Sequence, residues 1–286
     1  MTGSVAVTIP GGFEHAGSWR RQLYLRPWRG RDEMALFELS GSVSPAARAT
    51  ELLARCVSVD DRQPAGREFV RRLTVGDREA LLLQLHNLTM GDRLSCLLVC
   101  PSCGQAMDLD LRATGLLSPP TGYEGPEYQA SVSAQGRSYR LVFRLPNGGD
   151  QETAAAMMAR GEEEAMRALV RRCVASITRD DGAPQPEIPS ELTGELSQKM
   201  AALDPQAELL LDCICAHCGE TVRSLFDAAH YVLREVDRSA ETLLRDIHAI
   251  ARVFHWREAE ILAMSTRRRK NYVALIGGAA AGGGRG

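Results

Sequence analysis

The sequence has few of the features that mark membrane proteins and nucleic-acid-binding proteins. Aromatic residues make up 5% of the 286 positions, and the formal net charge is -2. A nearly neutral chain does not attract nucleic acid or an anionic membrane surface over long distances. No apolar run approaches the about 18 to 20 residues that span a bilayer, and the start lacks a signal-peptide pattern. We therefore expect a cytoplasmic protein with no membrane insertion and no nucleic-acid partner.

Sequence patterns typical of catalysis are also missing. We find no glycine-rich phosphate loop and no order of Ser, His and Asp that is typical of a hydrolase. The acidic run at 162–164 lies in a predicted helix, where such runs usually form a solvated face. The sequence therefore predicts a non-enzyme without a small-molecule substrate.

Two cysteine knuckles are the most informative feature that is present. They read Cys-Pro-Ser-Cys-Gly at 100–104 and Cys-Ala-His-Cys-Gly at 215–219, each between alternating, strand-like stretches. Four thiolates from two such turns complete a tetrahedral metal site and leave no open position for catalysis. We predict one structural zinc per chain, bound by Cys100, Cys103, Cys215 and Cys218. Iron in the same cage, or no metal, remain alternatives.

Other uses of the cysteines are less consistent with the sequence. A long chain without an export signal favours reduced thiols over disulfides. Redox dithiols sit at helix N-termini, whereas both knuckles run into strand-like sequence. Cys56 and Cys173 fall in apolar helical patterns and are predicted to be buried core thiols, while Cys213 is an alternative ligand. His217, between two ligands, is expected to face solvent.

The two knuckles belong to two similar stretches of sequence. Four features occur twice in the same order: an Arg-Pro or Leu-Pro pair, a Gly-Asp pattern, a helix with a cysteine near its end, and a knuckle. Cys56 and Cys173 are 117 positions apart, and Cys100 and Cys215 are 115 apart. A shared register of this kind indicates an internal duplication. A metal bound by both knuckles would then join the two copies.

These observations predict an α+β fold with two tandem repeats, each consisting of helices plus a zinc-knuckle β-hairpin, joined through one shared four-cysteine zinc site. A helical segment follows the repeats. The predicted boundaries are a flexible arm at 1–18, repeat one at 19–117, a linker at 118–138, repeat two at 139–227, the C-terminal helices at 228–276 and a disordered tail at 277–286.

The C-terminal helices carry a resemblance to a known family. The pattern runs through Ile247-His248-Ala249-Ile250-Ala251, Phe254-His255-Trp256, Glu260-Ile261-Leu262, an Arg run at 267–269 and Tyr272. It resembles the C-terminal part of baseplate and tail-assembly proteins of contractile-tailed bacteriophages and contractile injection systems. The first knuckle, after the Leu-rich helix at 81–92, is also similar to that of phage baseplate hub proteins.

The resemblance implies a non-catalytic baseplate component, or a factor that assembles the baseplate, whose partners are other baseplate or tail subunits. Residues expected to contact a partner are Phe254, Trp256, Arg267, Arg268, Arg269 and Tyr272. Packing within the chain is the alternative for the aromatic residues, and a solvated turn is the alternative for the arginines. A zinc-ribbon nucleic-acid-binding protein is the competing function, although the residues beside the knuckles are mostly acidic.

Overall fold

The computed structural model describes residues 3–120, 125–134, 136–185 and 187–282. Helices and strands are mixed along the chain, and the strands form two three-stranded and two two-stranded antiparallel sheets among the described residues. The fold is therefore α+β, as the sequence predicts.

The first sheet begins within the predicted N-terminal arm. Its strands are β1 (Val5–His15), β2 (Ser18–Leu25) and the short β3 (Val57–Ser58), in the order β1-β2-β3. Ile9 and Phe13 of β1 are buried in the main core. The prediction of a flexible arm at 1–18 is therefore wrong for residues 5–15, because glycine and small residues hid a strand whose alternate apolar side chains are buried.

A bulge in β1 explains the glycines of this region. The β1–β2 register shifts between Thr8 and Phe13, and Gly12 has a φ of 98°. A Cβ atom at Gly12 would come within 2.7 Å of the Arg20 carbonyl oxygen. The backbone N–H groups of Gly11 and Gly12 both donate to the Asp77 carboxylate, at 2.7 and 3.1 Å.

Four helices of the first half surround this sheet. They are α1 (Gly30–Glu38), α2 (Pro45–Cys56), α3 (Arg67–Arg72) and α4 (Val75–Met90). The Thr74 hydroxyl accepts the Asp77 N–H and caps the start of α4, and Gly91 is the C-cap at its end. Because α4 is buried on most sides, its apolar residues do not form a single stripe. This helix lies at the centre of the molecule.

The first knuckle lies at the tip of a hairpin. Strands β4 (Arg93–Val99) and β5 (Ala106–Arg112) pair in register from Arg93↔Arg112 to Val99↔Ala106. The hairpin forms a two-stranded sheet of its own. Among the described residues it pairs with no third strand, and side-chain packing against α4 and the helix Ala228–Phe254 holds it in place.

The second half begins earlier than the sequence predicts. Strands β6 (Tyr128–Ala134) and β7 (Arg137–Phe143) pair with each other, so β6 occupies much of the predicted linker at 118–138. Residues 121–124 and 135 of that linker lie outside the described residues. The elements that follow are α5 (Gly148–Met157), α6 (Glu162–Cys173), β8 (Val174–Arg179) and α7 (Leu192–Leu203). Their sheet has the order β6-β7-β8.

The second hairpin and three helices complete the chain. The hairpin consists of β9 (Leu209–Ile214) and β10 (Thr221–Phe226), and the helices are α8 (Ala228–Phe254), α9 (Glu258–Leu262) and α10 (Thr266–Gly282). Helix α10 continues through residues 277–282 of the predicted disordered tail, and residues 283–286 lie outside the described part of the chain.

Separate apolar clusters stabilise these parts. The largest joins the first sheet, α2, α4 and the start of α8, and a second lies between the sheet β6-β7-β8 and helices α6 and α7. A smaller cluster packs both hairpins against α4 and the start of α8, around Leu83, Leu94 and Phe226. These contacts bring the two hairpins side by side and orient their tips towards each other.

Candidate metal centre

The two knuckles adopt the same turn. The backbone N–H of Gly104 donates to the Cys100 carbonyl at 2.9 Å, and that of Gly219 donates to the Cys215 carbonyl at 2.9 Å. Both glycines have positive φ, 72° and 78°, a conformation that other residues adopt only with strain. The glycine of each Cys-x-x-Cys-Gly motif is thus required by the turn that brings its two sulfurs together.

The turns bring four sulfurs from opposite halves of the chain into one cluster. The thiol sulfurs of Cys100, Cys103, Cys215 and Cys218 all lie within 4.8 Å of one another. Cys100 Sγ lies 3.7 Å from Cys218 Sγ, and Cys103 Sγ lies 3.8 Å from Cys215 Sγ. Each short distance therefore joins one knuckle to the other. The four predicted ligands are brought together.

These distances fit a tetrahedral metal site. With metal–sulfur bonds of about 2.3 Å, two sulfurs on one edge of a regular tetrahedron are about 3.8 Å apart. The two distances between knuckles, 3.7 and 3.8 Å, agree with that edge. A disulfide requires about 2.05 Å, so the present separation matches shared coordination and not a covalent bond. The donor set suits zinc, and iron bound by four thiolates has the same kind of ligands.

Backbone N–H groups favour the thiolate at the first cysteine of each knuckle. The Cys103 N–H lowers the pKa of the Cys100 thiol to about 6. The Cys218 and His217 N–H groups lower the pKa of Cys215 in the same way. At Cys218 the Glu220 N–H also favours the thiolate, but desolvation and the neighbouring thiols raise the pKa to about 12. Four adjacent thiolates need a cation, and a divalent metal would deprotonate all four.

The remaining cysteines lie outside this cluster. Cys213 is half-buried on β9, and its thiol donates to the Val222 carbonyl at 3.6 Å. Cys56 and Cys173 are buried in the two main clusters, where desolvation raises the pKa to about 12 for Cys56 and to about 11 for Cys173. Such thiols are poor nucleophiles. This agrees with the prediction that both are core residues.

The cluster of four sulfurs has a small apolar base. Cys100 and Cys215 are buried together with Met107 and Val222, whereas Cys103 and Cys218 are exposed. His217 is exposed, and its backbone N–H donates to Cys215 Sγ at 3.4 Å. One ligand of each knuckle thus packs against the hairpins, while the other lies at the surface.

The predicted aromatic residues of the C-terminal segment pack against one another. Phe254 and Trp256 stack with ring centroids 5.0 Å apart, and Tyr272 meets Trp256 edge-on at 4.9 Å. All three are half-buried. They form one partly exposed aromatic cluster where α8 ends and α10 passes, so each ring has both intrachain contacts and open surface.

The three predicted arginines have different environments. Arg267 and Arg268 are exposed, and the Arg268 guanidinium lies 5.7 Å from the centre of the Tyr272 ring. Arg269 is fully buried, and its guanidinium donates to Glu33 at 2.5 Å and to Asp246 at 3.2 Å. Arg269 is therefore not available to a partner in this structure, because both of its ion-pair partners belong to the same chain.

Sequence reasoning missed the residues that hold the halves together away from the sulfurs. Arg78 is buried, and its guanidinium donates to Gln151, to Thr50 and to the Ala46 carbonyl. Nothing in a charged helical sequence separates a buried arginine from a solvated one. The structure shows the matching feature at Gly148, where an added Cβ would lie 2.4 Å from the Arg78 guanidinium.

The surface of the hairpins carries balanced charge. Arg93 pairs with Asp110 across the first hairpin, and Arg223 pairs with Asp212 across the second. Each exposed arginine is therefore neutralised by a carboxylate on the same hairpin. This arrangement does not favour contact with a phosphate backbone.

In the described part of the chain, no helix is long and apolar enough to cross a bilayer.

A protein-family model described as T4 bacteriophage base plate protein matches residues 13–231. The match includes both hairpins and both knuckles, and it ends in the first turn of α8. The baseplate family predicted from the sequence is thereby confirmed, and the match contains the Leu-rich helix and first knuckle that supported it. The C-terminal pattern from Ile247 to Tyr272 lies beyond the matched residues and stays a prediction. No curated protein and no solved structure matches the chain significantly.

Proposed function

The chain belongs to the T4 bacteriophage base plate protein family, and we propose that it is a non-catalytic structural component of the baseplate of a contractile tail or contractile injection system. It binds other baseplate subunits and has no small-molecule substrate. The single observation that carries the proposal is the family match over residues 13–231, which spans both halves of the chain.

The proposed metal is one structural zinc, held by Cys100, Cys103, Cys215 and Cys218. The spacing of the sulfurs supports this, because it fits a tetrahedron without an open position. A closed sulfur site has no room for a reacting water. Its role is to fix the two hairpins, which do not pair with any other described strand.

We further propose that the two halves are tandem repeats. Two matched contacts and a matched strand order support this. Arg26 N donates to the Cys56 carbonyl at 3.0 Å, and Arg144 N donates to the Cys173 carbonyl at 2.9 Å. The Arg26 guanidinium binds the Asp32 carboxylate, as that of Arg144 binds Asp150. The sheets β1-β2-β3 and β6-β7-β8 share one order. The zinc then joins equivalent points of two copies.

The outer faces of the fixed hairpins are proposed as one subunit contact. Several large apolar side chains are exposed there, and they belong to both hairpins: Leu97, Val99, Leu210, Ile214 and Leu225. Adjacent exposed apolar groups on a rigid surface are typical of protein interfaces. A zinc clamp keeps these side chains in one arrangement, which lowers the entropic cost of binding.

The second proposed contact is the aromatic cluster with the exposed arginines beside it. Phe254, Trp256 and Tyr272 offer apolar area, and Arg267 and Arg268 offer positive charge at the start of α10. No acidic residue occurs in the first turn of that helix, where the helix dipole disfavours cations. An acidic group on a partner subunit would compensate this charge.

A particle-assembly experiment tests the function. The gene for this protein is changed to encode either Arg268→Glu or Lys270→Glu. The second is a matched charge reversal at another exposed position of the same helix. We expect Arg268→Glu to reduce the number of complete tails in electron micrographs and Lys270→Glu to leave it near wild type. Complete tails in a strain lacking the whole gene would contradict a baseplate role.

Mass spectrometry of purified tails separates a permanent subunit from an assembly factor. A subunit remains in the mature particle at a fixed ratio to the other baseplate proteins. An assembly factor is needed for tails to form but is lost from them. The apolar hairpin surface favours the first outcome, because a surface of that kind is best covered permanently.

A further inference from the structure

One docking contact is built twice in this chain. The turn at 73–78, from the first half, lies against the loop at 147–151, which begins α5 in the second half. The turn at 264–269, from the C-terminal helices, lies against the loop at 29–33, which begins α1 in the first half. We name these segments the inner turn (73–78), the C-terminal turn (264–269), the first docking loop (29–33) and the second docking loop (147–151).

The backbone contacts of the two pairs are equivalent. Gly148 N donates to the Leu73 carbonyl at 3.2 Å, and Gly30 N donates to the Met264 carbonyl at 3.3 Å. Isolated antiparallel bridges join Thr74 to Asn147 and Ser265 to Arg29. Each turn is thus added to its loop by backbone pairing at one matched position.

A buried arginine completes each pair. Arg78 lies five positions after Leu73, and Arg269 lies five positions after Met264. An added Cβ at Gly148 would meet the Arg78 guanidinium at 2.4 Å, and one at Gly30 would meet that of Arg269 at 3.0 Å. Each loop therefore has a glycine at the position where a larger residue would clash with the arginine of the docked turn.

The partners of the two arginines also match in position. Arg78 Nε donates to Gln151 at 3.1 Å, and Arg269 Nη2 donates to Glu33 at 2.5 Å. Glu33 and Gln151 each lie three positions after the glycine of their loop. The short helix before each turn supplies a buried apolar residue, Val70 in α3 and Ile261 in α9. Helices α9 and α10 thus repeat the docking element formed by α3 and α4.

The second occurrence differs in how it is attached. The inner turn lies between α3 and α4 in the interior of the chain. The C-terminal turn follows α9, which is joined to α8 by the three-residue connection 255–257. His255 in that connection has a φ of 56°. It is the C-cap of α8, its N–H donates to the Ala251 carbonyl at 2.9 Å, and the left-handed conformation is strained for a residue other than glycine. Short connections under strain favour exchange between chains.

We propose that the first docking loop accepts the C-terminal turn of a second copy of this chain, so that two copies exchange α9 and α10. The contacts of the exchanged form are those already present within one chain, which makes exchange a low-cost route to a dimer. Leu244 and Val253 on α8 and Leu275 on α10 are exposed and leave apolar surface on these helices for the second copy to cover. This inference does not depend on the metal.

Two substitutions at the hinge test the exchange without changing either docking surface. His255→Gly removes the strain of the left-handed conformation and favours the closed monomer by about 10-fold. His255→Val increases that strain, because a β-branched residue rarely adopts positive φ. Sedimentation velocity over a concentration series is expected to show more dimer for His255→Val and less for His255→Gly than for wild type.

A mixing experiment identifies the contact in that dimer. Full-length Gly30→Val has a blocked first docking loop, and full-length Arg269→Ala has a defective C-terminal turn. With one chain isotopically labelled, native mass spectrometry is expected to show more mixed dimer than either variant forms alone, because one intact pair remains between them. Only monomer in wild type and His255→Val, or equal dimer in both hinge variants, would overturn the proposal.

Discussion

Two kinds of junction in this protein differ in their chemistry. At the hairpin tips, four sulfurs from distant knuckles lie within 4.8 Å and fit a metal. At the helix starts, Arg78 joins the two halves and Arg269 joins the C-terminal turn to the first half, and both are buried in polar contacts that need no ligand. With the proposed zinc, the first junction depends on a cation from solution, whereas the second is complete within the chain. We therefore predict that removal of metal disrupts the junction at the hairpin tips and leaves the arginine contacts intact.

The largest expected effect is the loss of a metal ligand. Structural zinc sites contribute on the order of 10 kcal/mol of apparent binding free energy. Cys103→Ser and Cys218→Ser should each lower the free energy of unfolding strongly, and the double variant should add little, because either change already destroys the site. Chemical denaturation measures this. Cys213→Ser, outside the cluster, is the control and should remain close to wild type.

The polar junction gives the next largest effect, and it should differ between its two arginines. Arg269→Met leaves Glu33 and Asp246 without their buried cation and is expected to cost about 3–5 kcal/mol. Arg78→Met leaves mainly neutral acceptors and is expected to cost about 1–3 kcal/mol. Unfolding curves of the two variants test this order. Equal losses would show that the two docking contacts do not differ in their charge.

A pH profile sharpens the comparison at a third buried contact, where α4 meets α8. Burial raises the pKa of Glu79 to about 7, and its carboxylate accepts the Ala228 N–H at 2.9 Å. The Ala228 N–H favours the carboxylate, but desolvation outweighs it, so the fold favours the neutral acid. Because the folded pKa is raised, the stability gained with neutral Glu79 is fully present below the unfolded pKa and is lost as pH rises through about 7.

Glu79→Gln keeps a neutral acceptor at every pH. Between pH 5 and pH 8 its free energy of unfolding should therefore rise relative to wild type, by up to about 3 kcal/mol. Glu241→Gln, an exposed change on α8, is the control and should follow the wild-type profile. A Glu79→Gln profile parallel to wild type would mean that Glu79 is ionised in the folded protein throughout this range.

The smallest effect is expected from the ion pairs on the hairpin surfaces. Arg93→Ala and Arg223→Ala remove pairs in which both partners are largely exposed. Such pairs are worth about 0 to 1 kcal/mol. Thermal unfolding should change little for either variant. A large loss would show that these pairs help the sulfurs to hold the hairpins together.

The sequence allowed the α+β class and the sulfur cluster to be predicted, because two Cys-x-x-Cys-Gly motifs specify both ligand type and local turn. The start and end of α4 were also predictable from Thr74 and Gly91, since caps depend on neighbouring residues. These features share one property: the interactions that decide them lie within a few residues.

The missed features depend on distant contacts. Residues 5–15 looked like a mobile arm because their glycines suit a loop, yet Gly11 and Gly12 donate to Asp77, more than sixty positions away. Arg269 looked like Arg267 and Arg268, and only Glu33 and Asp246 distinguish it. No local pattern contains that information. A comparison of Arg78 with Arg269, and of Gly148 with Gly30, would have suggested it.

Elemental analysis of the purified protein tests the central claim, which is that one metal joins the two halves. The wild-type chain, Cys103→Ser and Cys218→Ser are measured together, with Cys213→Ser as the control. We predict one zinc per chain in wild type and in the control, and none in either ligand variant, because both knuckles are needed for one site. Two metals per chain, no metal, or metal retained after either ligand is lost would contradict the shared clamp.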